Sequence, residues 1–277
     1  SPHVQPYPTE RIALYFSACR ARLKSLAASD KWSDRACRFD VFACGFFERS
    51  DLACFIFFAA QSQARVHKQL MKSSRLILAS ASPRRAQLLA QLSFKCEICP
   101  QDIDETRHEA ESPEQYVSRM AEEKAQSGRS LLLSQPGVLI AADTVVSLDD
   151  AVLAKPESAE EAESFLLRLA KRTHEVRSAV CVLASAEAGV VSTIGLAVSL
   201  TRVTFGEISR TEAQRYWRSG EPRGKAGGYA IQGIAAAFIR SIEGSYSGVM
   251  GLPLYETAAL LKQAGLDSLP KLGDERQ

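Results

Sequence analysis

Two short segments of this 277-residue chain hold residue types that could handle a phosphate. In Leu78-Ala79-Ser80-Ala81-Ser82-Pro83-Arg84-Arg85, an apolar run ends in small hydroxyl residues. Pro83 then suits the first position of a helix, with Ser82 as its N-cap. Two arginines in a first helical turn are locally unfavourable, because the positive end of the helix repels cations. A docked anion reverses that: free N–H groups, serine hydroxyls and two guanidinium forks would converge on phosphate oxygens. The plain alternative is a solvated helix start with a serine cap. The second segment is Ala141-Ala142-Asp143-Thr144-Val145-Val146. A carboxylate buried in such a run without a partner would cost several kcal/mol. Asp143 is therefore expected at a cleft, where it could take a proton from water or hold a hard cation such as Mg2+. Its plain alternative is a turn cap at a strand end.

Other residues are weaker signals taken singly. Lys124 lies in the helical pattern Met120-Ala121-Glu122-Glu123-Lys124-Ala125, and Lys155 in a turn before Pro156. Either could be a solvated surface charge. Gly224-Lys225-Ala226-Gly227-Gly228-Tyr229-Ala230-Ile231-Gln232-Gly233 allows positive φ and close backbone approach, and the Gln232 amide could read a base edge. It lacks the spacing of a P-loop and could be a simple tight turn. Cys96 and Cys99 have a C-x-x-C spacing, but with no second pair they read as packing residues. His108 and His174 read as ordinary surface or strand residues.

The elements that must hold these side chains alternate. Strands are predicted over residues 75–79, 94–99, 138–148, 176–184, 196–205 and 235–242. Helices are predicted over 83–92, 112–127, 158–170, 211–219 and 254–264, and a polar loop over 101–107. This alternation predicts an α/β fold: one domain from Met71 onward, with a mixed twisted sheet and flanking helices around a cleft.

Composition bounds the partners. Charged residues make up 24% and the net charge is only +2, which argues against a broad basic nucleic-acid surface. The charge is uneven, with ten Lys/Arg against six Asp/Glu in residues 1–70 and 24 against 26 beyond. Cys19, Cys37, Cys44 and Cys54 also fall in that first part. Seven cysteines in no regular framework suggest reduced thiols. The apolar run 52–60 is far short of the roughly 20 residues that span a bilayer. With no evident signal peptide, a cytoplasmic protein is expected. Residues 1–70 lack the caps and periodicity seen later. They are read as an extension, disordered or upstream of a natural start at Met71, with a regulatory or targeting role as the alternative.

Six ordered segments together are specific where each alone is not: LASASPRRAQLL, AEEKA, AADTVV, LAKP, GEPRGKAGGYAIQG and GSYSGVMGLPLYET. Over roughly residues 74–264 the chain resembles the Maf family of nucleoside triphosphate pyrophosphatases. The two C-terminal segments are similar to the branch acting on dTTP and UTP. The alternatives are action on 7-methyl-GTP or another modified nucleotide, and nucleotide sensing tied to cell division. The resemblance implies Asp143 as proton acceptor, and Ser80, Arg85, Lys124 and Lys155 on the triphosphate. It places Arg84, Thr144 and Gln232 in base selection, and Glu105 with Asp143 at a divalent metal: Mg2+, or alternatively Mn2+ or Co2+. It further implies a homodimer. Ala81 stands where the family often has Gly and Gly228 where it often has Ala; neither change removes a functional group.

Overall fold

The computed structural model describes residues 75–268. The 1–70 extension, its four cysteines, the apolar run 52–60 and the Met71 start lie outside the described residues. At the centre is β3 (Gly137–Leu148), ten of whose twelve residues are buried. So long an apolar run needs cover on both faces, which the chain supplies by alternation. Even-numbered residues such as Val138, Ile140, Ala142 and Val146 enter one core cluster. Odd-numbered Leu139, Ala141 and Val145 enter the other.

Around β3 the described residues build a seven-stranded mixed sheet. On one side β1 (Leu76–Leu78) runs parallel to β3, with β2 (Glu97–Ile98) parallel beyond it. On the other side β5 (Thr173–Glu187) is antiparallel to β3, followed by β6 (Val190–Phe205) and β7 (Ile239–Glu243). The short β4 (Ala151–Leu153) folds back on the end of β3.

The even face is covered by α1 (Pro83–Gln91), α4 (Ala159–Leu169), α5 (Arg210–Arg218) and α7 (Leu254–Gln263), which contribute Leu88, Leu166, Tyr216 and Leu261 to the core. The odd face is covered by α2 (Pro113–Ser127) and α3 (Ser130–Ser134), through Val117, Ala121, Ala125 and Leu132. Both α2 and α5 begin with a reciprocal capping box, Ser112 with Gln115 and Ser209 with Glu212. A five-residue helix, α6 (Tyr246–Met250), lies between β7 and α7.

The expected α/β class with a mixed sheet holds, while several boundaries differ. The strand expected over 235–242 is a 3-10 turn, Ile234–Phe238, followed by β7. The Glu221 carboxylate accepts from the N–H groups of Ile234 and Ala235, so those donors are unavailable to a sheet ladder. β5 and β6 are longer than expected because they form one hairpin, in which Glu187 pairs with Val190 across a two-residue loop. β2 shrinks to two residues because its neighbour β1 has only three. Cys96 packs toward the even-face core and Cys99 toward the odd-face core, and both are free thiols, in keeping with a packing role. His174 is a strand residue but not a surface one: it is buried in β5 against Phe205 and Tyr229.

Candidate active site

The site arises from a gap at the edge of β3. β1 pairs only with residues 138–140, and β4 only with 146–148. Between them, residues 141–145 have no strand on that side among the described residues, and a cleft of about 630 Å3 opens there. Because β3 alternates, Asp143 projects toward the α2 face and Thr144 toward the α6 face, and both line the cleft.

On the α2 face, Lys124 is buried and its ammonium lies between two carboxylates. Nζ is 2.7 Å from Asp143 Oδ1 and 2.6 Å from Glu105 Oε1. Lys155, on the exposed loop after β4, stands 3.6 Å from the other Glu105 oxygen. Burial opposes ionisation of Glu105, but the hydrogen bond and charge of Lys124, with Lys155 behind it, hold its carboxyl below the usual range. The loop that carries Glu105 is tied to α2 at two points. Tyr116 donates its hydroxyl to the Glu105 carbonyl at 2.9 Å, and Arg119 donates to the Thr106 carbonyl at 2.9 Å. Burial, then the charges of Asp143 and Glu105, push the Tyr116 phenol up to about 12, so it stays a neutral donor.

On the other face, β1 ends and α1 begins at the cleft floor. Ser82 caps α1 by backbone position without a side-chain bond, and Pro83 occupies its first turn. Arg85 donates to the Gly251 carbonyl at 2.8 Å and to Ser80 Oγ at 2.9 Å; Arg84 donates to the Met250 carbonyl at 3.2 Å. The peptide after α6 thus fixes both guanidinium groups with part of each fork left over. Burial lowers the proton affinity of both, although Asp143 and Glu105 oppose this at Arg85. Arginine keeps its charge under such a shift. Among the described residues, six cations and two carboxylates line the cleft, an excess suited to a polyanion.

A family model described as Maf-like protein matches residues 75–264. This chain belongs to the Maf family. A dTTP/UTP pyrophosphatase of Saccharophagus degradans is 46% identical over 197 residues, covering 70% of this chain and 91% of that protein. One from Methylobacillus flagellatus is 48% identical over 193 residues, covering 70% and 94%. One from Myxococcus xanthus is 48% identical over 192 residues, covering 69% and 93%.

Of the residues that the Maf resemblance singled out, Ser80, Arg84, Arg85, Glu105, Lys124, Asp143, Thr144 and Lys155 line the one cleft. Gln232 does not: it is exposed and absent from the lining. Its segment leaves the cleft at the turn that Glu221 pins, so the parts that reach the site are Arg223, Lys225 and Tyr229. Those three carry no local signal of their own, although all sit in the stretch GEPRGKAGGYAIQG. Lys225 donates to the Glu221 carbonyl, and burial together with the charge of Arg84 lowers its proton affinity. Gly227 lets this segment sit on β3. Its φ is +67°, and a Cβ there would lie 2.9 Å from Val146 Cγ1.

The donor chemistry suits a divalent cation of the kind a Maf site is expected to use. Asp143 and Glu105 offer hard carboxylate oxygens within reach of one ammonium, and Mg2+ commonly takes one or two carboxylates plus phosphate oxygens. Among the described residues no group of three or more His, Cys, Asp or Glu forms a complete protein cage. Nor is any described helix long and apolar enough to cross a membrane.

Proposed function

We propose that this chain is a nucleoside triphosphate pyrophosphatase that hydrolyses dTTP and UTP to the monophosphate and pyrophosphate. The supporting observation is the pairing of Asp143, held at 2.7 Å by buried Lys124, with the arginine-lined start of α1 across one cleft. Its relatives in the Maf family named dTTP/UTP pyrophosphatase, 46–48% identical, support the same substrates.

In this reading the triphosphate lies along the cations. Arg84 and Arg85 present their remaining N–H donors, Ser80 its hydroxyl, and Lys124 and Lys155 neutralise the far phosphates. Asp143 accepts a proton from water as the water oxygen attacks the α-phosphorus. The bond from the α-phosphorus to its bridging oxygen breaks, and pyrophosphate leaves into the field of the cations. Asp143 and Glu105 would hold a divalent ion, Mg2+ before Mn2+ or Co2+, which when bound supplies Lewis-acid neutralisation of phosphate oxygens. Thr144 faces the nucleobase. Pyrophosphate release from dTTP, UTP, CTP and 7-methyl-GTP, with each metal, tests the assignment. Turnover confined to 7-methyl-GTP, or none at all, would overturn it. The same reading makes the enzyme a cytoplasmic homodimer acting on free nucleotides. Sedimentation at micromolar protein tests that assembly, and a monomer throughout would remove it.

A further inference from the structure

Ser178 is a fully buried serine in the Val-rich centre of β5. It is the cross-strand partner of Thr144, and the two hydroxyl oxygens are 2.7 Å apart. Ser178 Oγ is also 2.6 Å from the carbonyl oxygen of Gly248 in α6. A carbonyl can only accept, so Ser178 must donate its single proton there. With that proton committed, Ser178 can only accept from Thr144, and Thr144 must donate to Ser178. The acceptor at the end of this relay is itself fixed. Ser245 caps Gly248 N–H at 3.0 Å, and Thr201 bonds both the N–H and the carbonyl of Ser245.

The consequence lies at the cleft. Thr144 lines the cleft, and its hydroxyl commits its proton to Ser178, into the sheet, so toward a ligand it can offer only lone pairs. A hydroxyl free to rotate could meet either a donor or an acceptor; this one can meet only a donor. The Watson–Crick edge of uracil or thymine carries one donor, N3–H, between two carbonyls. Cytosine has a lone pair at N3. Two facing lone pairs leave both acceptors without a partner, a mismatch that a closed site discriminates against.

We propose that Ser178 is a specificity-determining positioning residue: by fixing the hydroxyl of Thr144 as an acceptor, it makes the site select pyrimidines with an N3–H donor over cytosine. This rests on the reading of the cleft as a dTTP/UTP site. The test is kcat/KM for UTP and CTP with the full chain, as wild type and as Ser178→Ala. In the variant the hydroxyl of Thr144 loses its buried acceptor and can turn its proton toward cytosine N3. The UTP:CTP preference should then fall about tenfold, chiefly through a gain on CTP. An equal loss on both nucleotides, or an unchanged ratio, would overturn the role of Ser178 and leave only packing. If Ser178→Ala melts below the assay temperature, Ser178→Cys carries the same comparison, since a thiol keeps the shape but hydrogen-bonds weakly. An unchanged ratio there has the same meaning. Absence of UTP and dTTP turnover in the wild type would instead sink the proposed function and this inference with it. An active wild type with an unmoved ratio sinks this inference alone.

Discussion

A carboxylate in an apolar strand and two arginines at a positive helix end each carry an electrostatic cost, and the structure shows how both are offset. Asp143 meets the ammonium of Lys124, and Arg85 is held by Ser80 and the Gly251 carbonyl. Asp143→Asn keeps the shape but removes the proton acceptor, so kcat should fall on the order of a hundredfold or more, measured as pyrophosphate release. Turnover near the wild-type value would show that another group takes the proton. A second residue sets a pH limit on stability. Burial lowers His174 to about 4, against an ordinary histidine value near 6.5, so it is neutral in the fold. As pH falls below about 6.5 the unfolded chain gains a proton that the folded chain refuses, and stability drops until roughly pH 4. The loss is on the order of 3 kcal/mol across that window. Urea unfolding between pH 7.5 and 4.5 should show a shallower acid slope for His174→Gln than for wild type. Equal slopes would place the acid sensitivity elsewhere. The sequence marked Asp143 and the arginines by chemical oddity, whereas His174 passed as unremarkable because its burial depends on distant Phe205 and Tyr229.

Among the elements, local signals fared best where one segment decides its own structure. Ser112-Pro113 and Ser158 start helices as expected, and the apolar run of β3 is a strand. Signals failed where a distant group decides. The turn at Ile234–Phe238 exists because Glu221 takes its N–H groups, while Tyr216 donates to the same carboxylate at 2.7 Å. The segment carrying Lys225 and Tyr229 depends on close backbone approach at Gly227. Gly227→Ala combines a positive φ with a Cβ 2.9 Å from Val146. It should cost about 2 kcal/mol. For a domain of this size that lowers Tm by roughly 4–8 °C, readable by calorimetry. An unchanged Tm would mean that Val146 and the turn yield without strain.

For the whole molecule, every described residue lining the cleft falls between Ala79 and Gly251, and the family match spans 75–264. A protein shortened to residues 71–277 should therefore keep the kcat/KM of the full chain on UTP and dTTP. A large loss would assign the first seventy residues a part in catalysis. The five stretches that line the cleft lie far apart in sequence: residues 79–87, 100–124, 143–146, Lys155 and 223–251. They converge because β1 and β4 each stop short along β3, leaving residues 141–145 uncovered.

The sequence by itself determined the α/β class, the helix starts at Ser112 and Ser158, and which side chains carry unusual charge, since these follow from periodicity, turn chemistry and local electrostatics. Membership of the Maf family was legible there too, in six ordered segments. Tertiary structure alone decided what those side chains face. It set Lys124 between two carboxylates and took Gln232 out of the cleft lining. It brought in Arg223 and Lys225, and it fixed the hydroxyl of Thr144 through Ser178. Each depends on a contact between residues distant in the chain, and no local pattern encodes the direction of a proton.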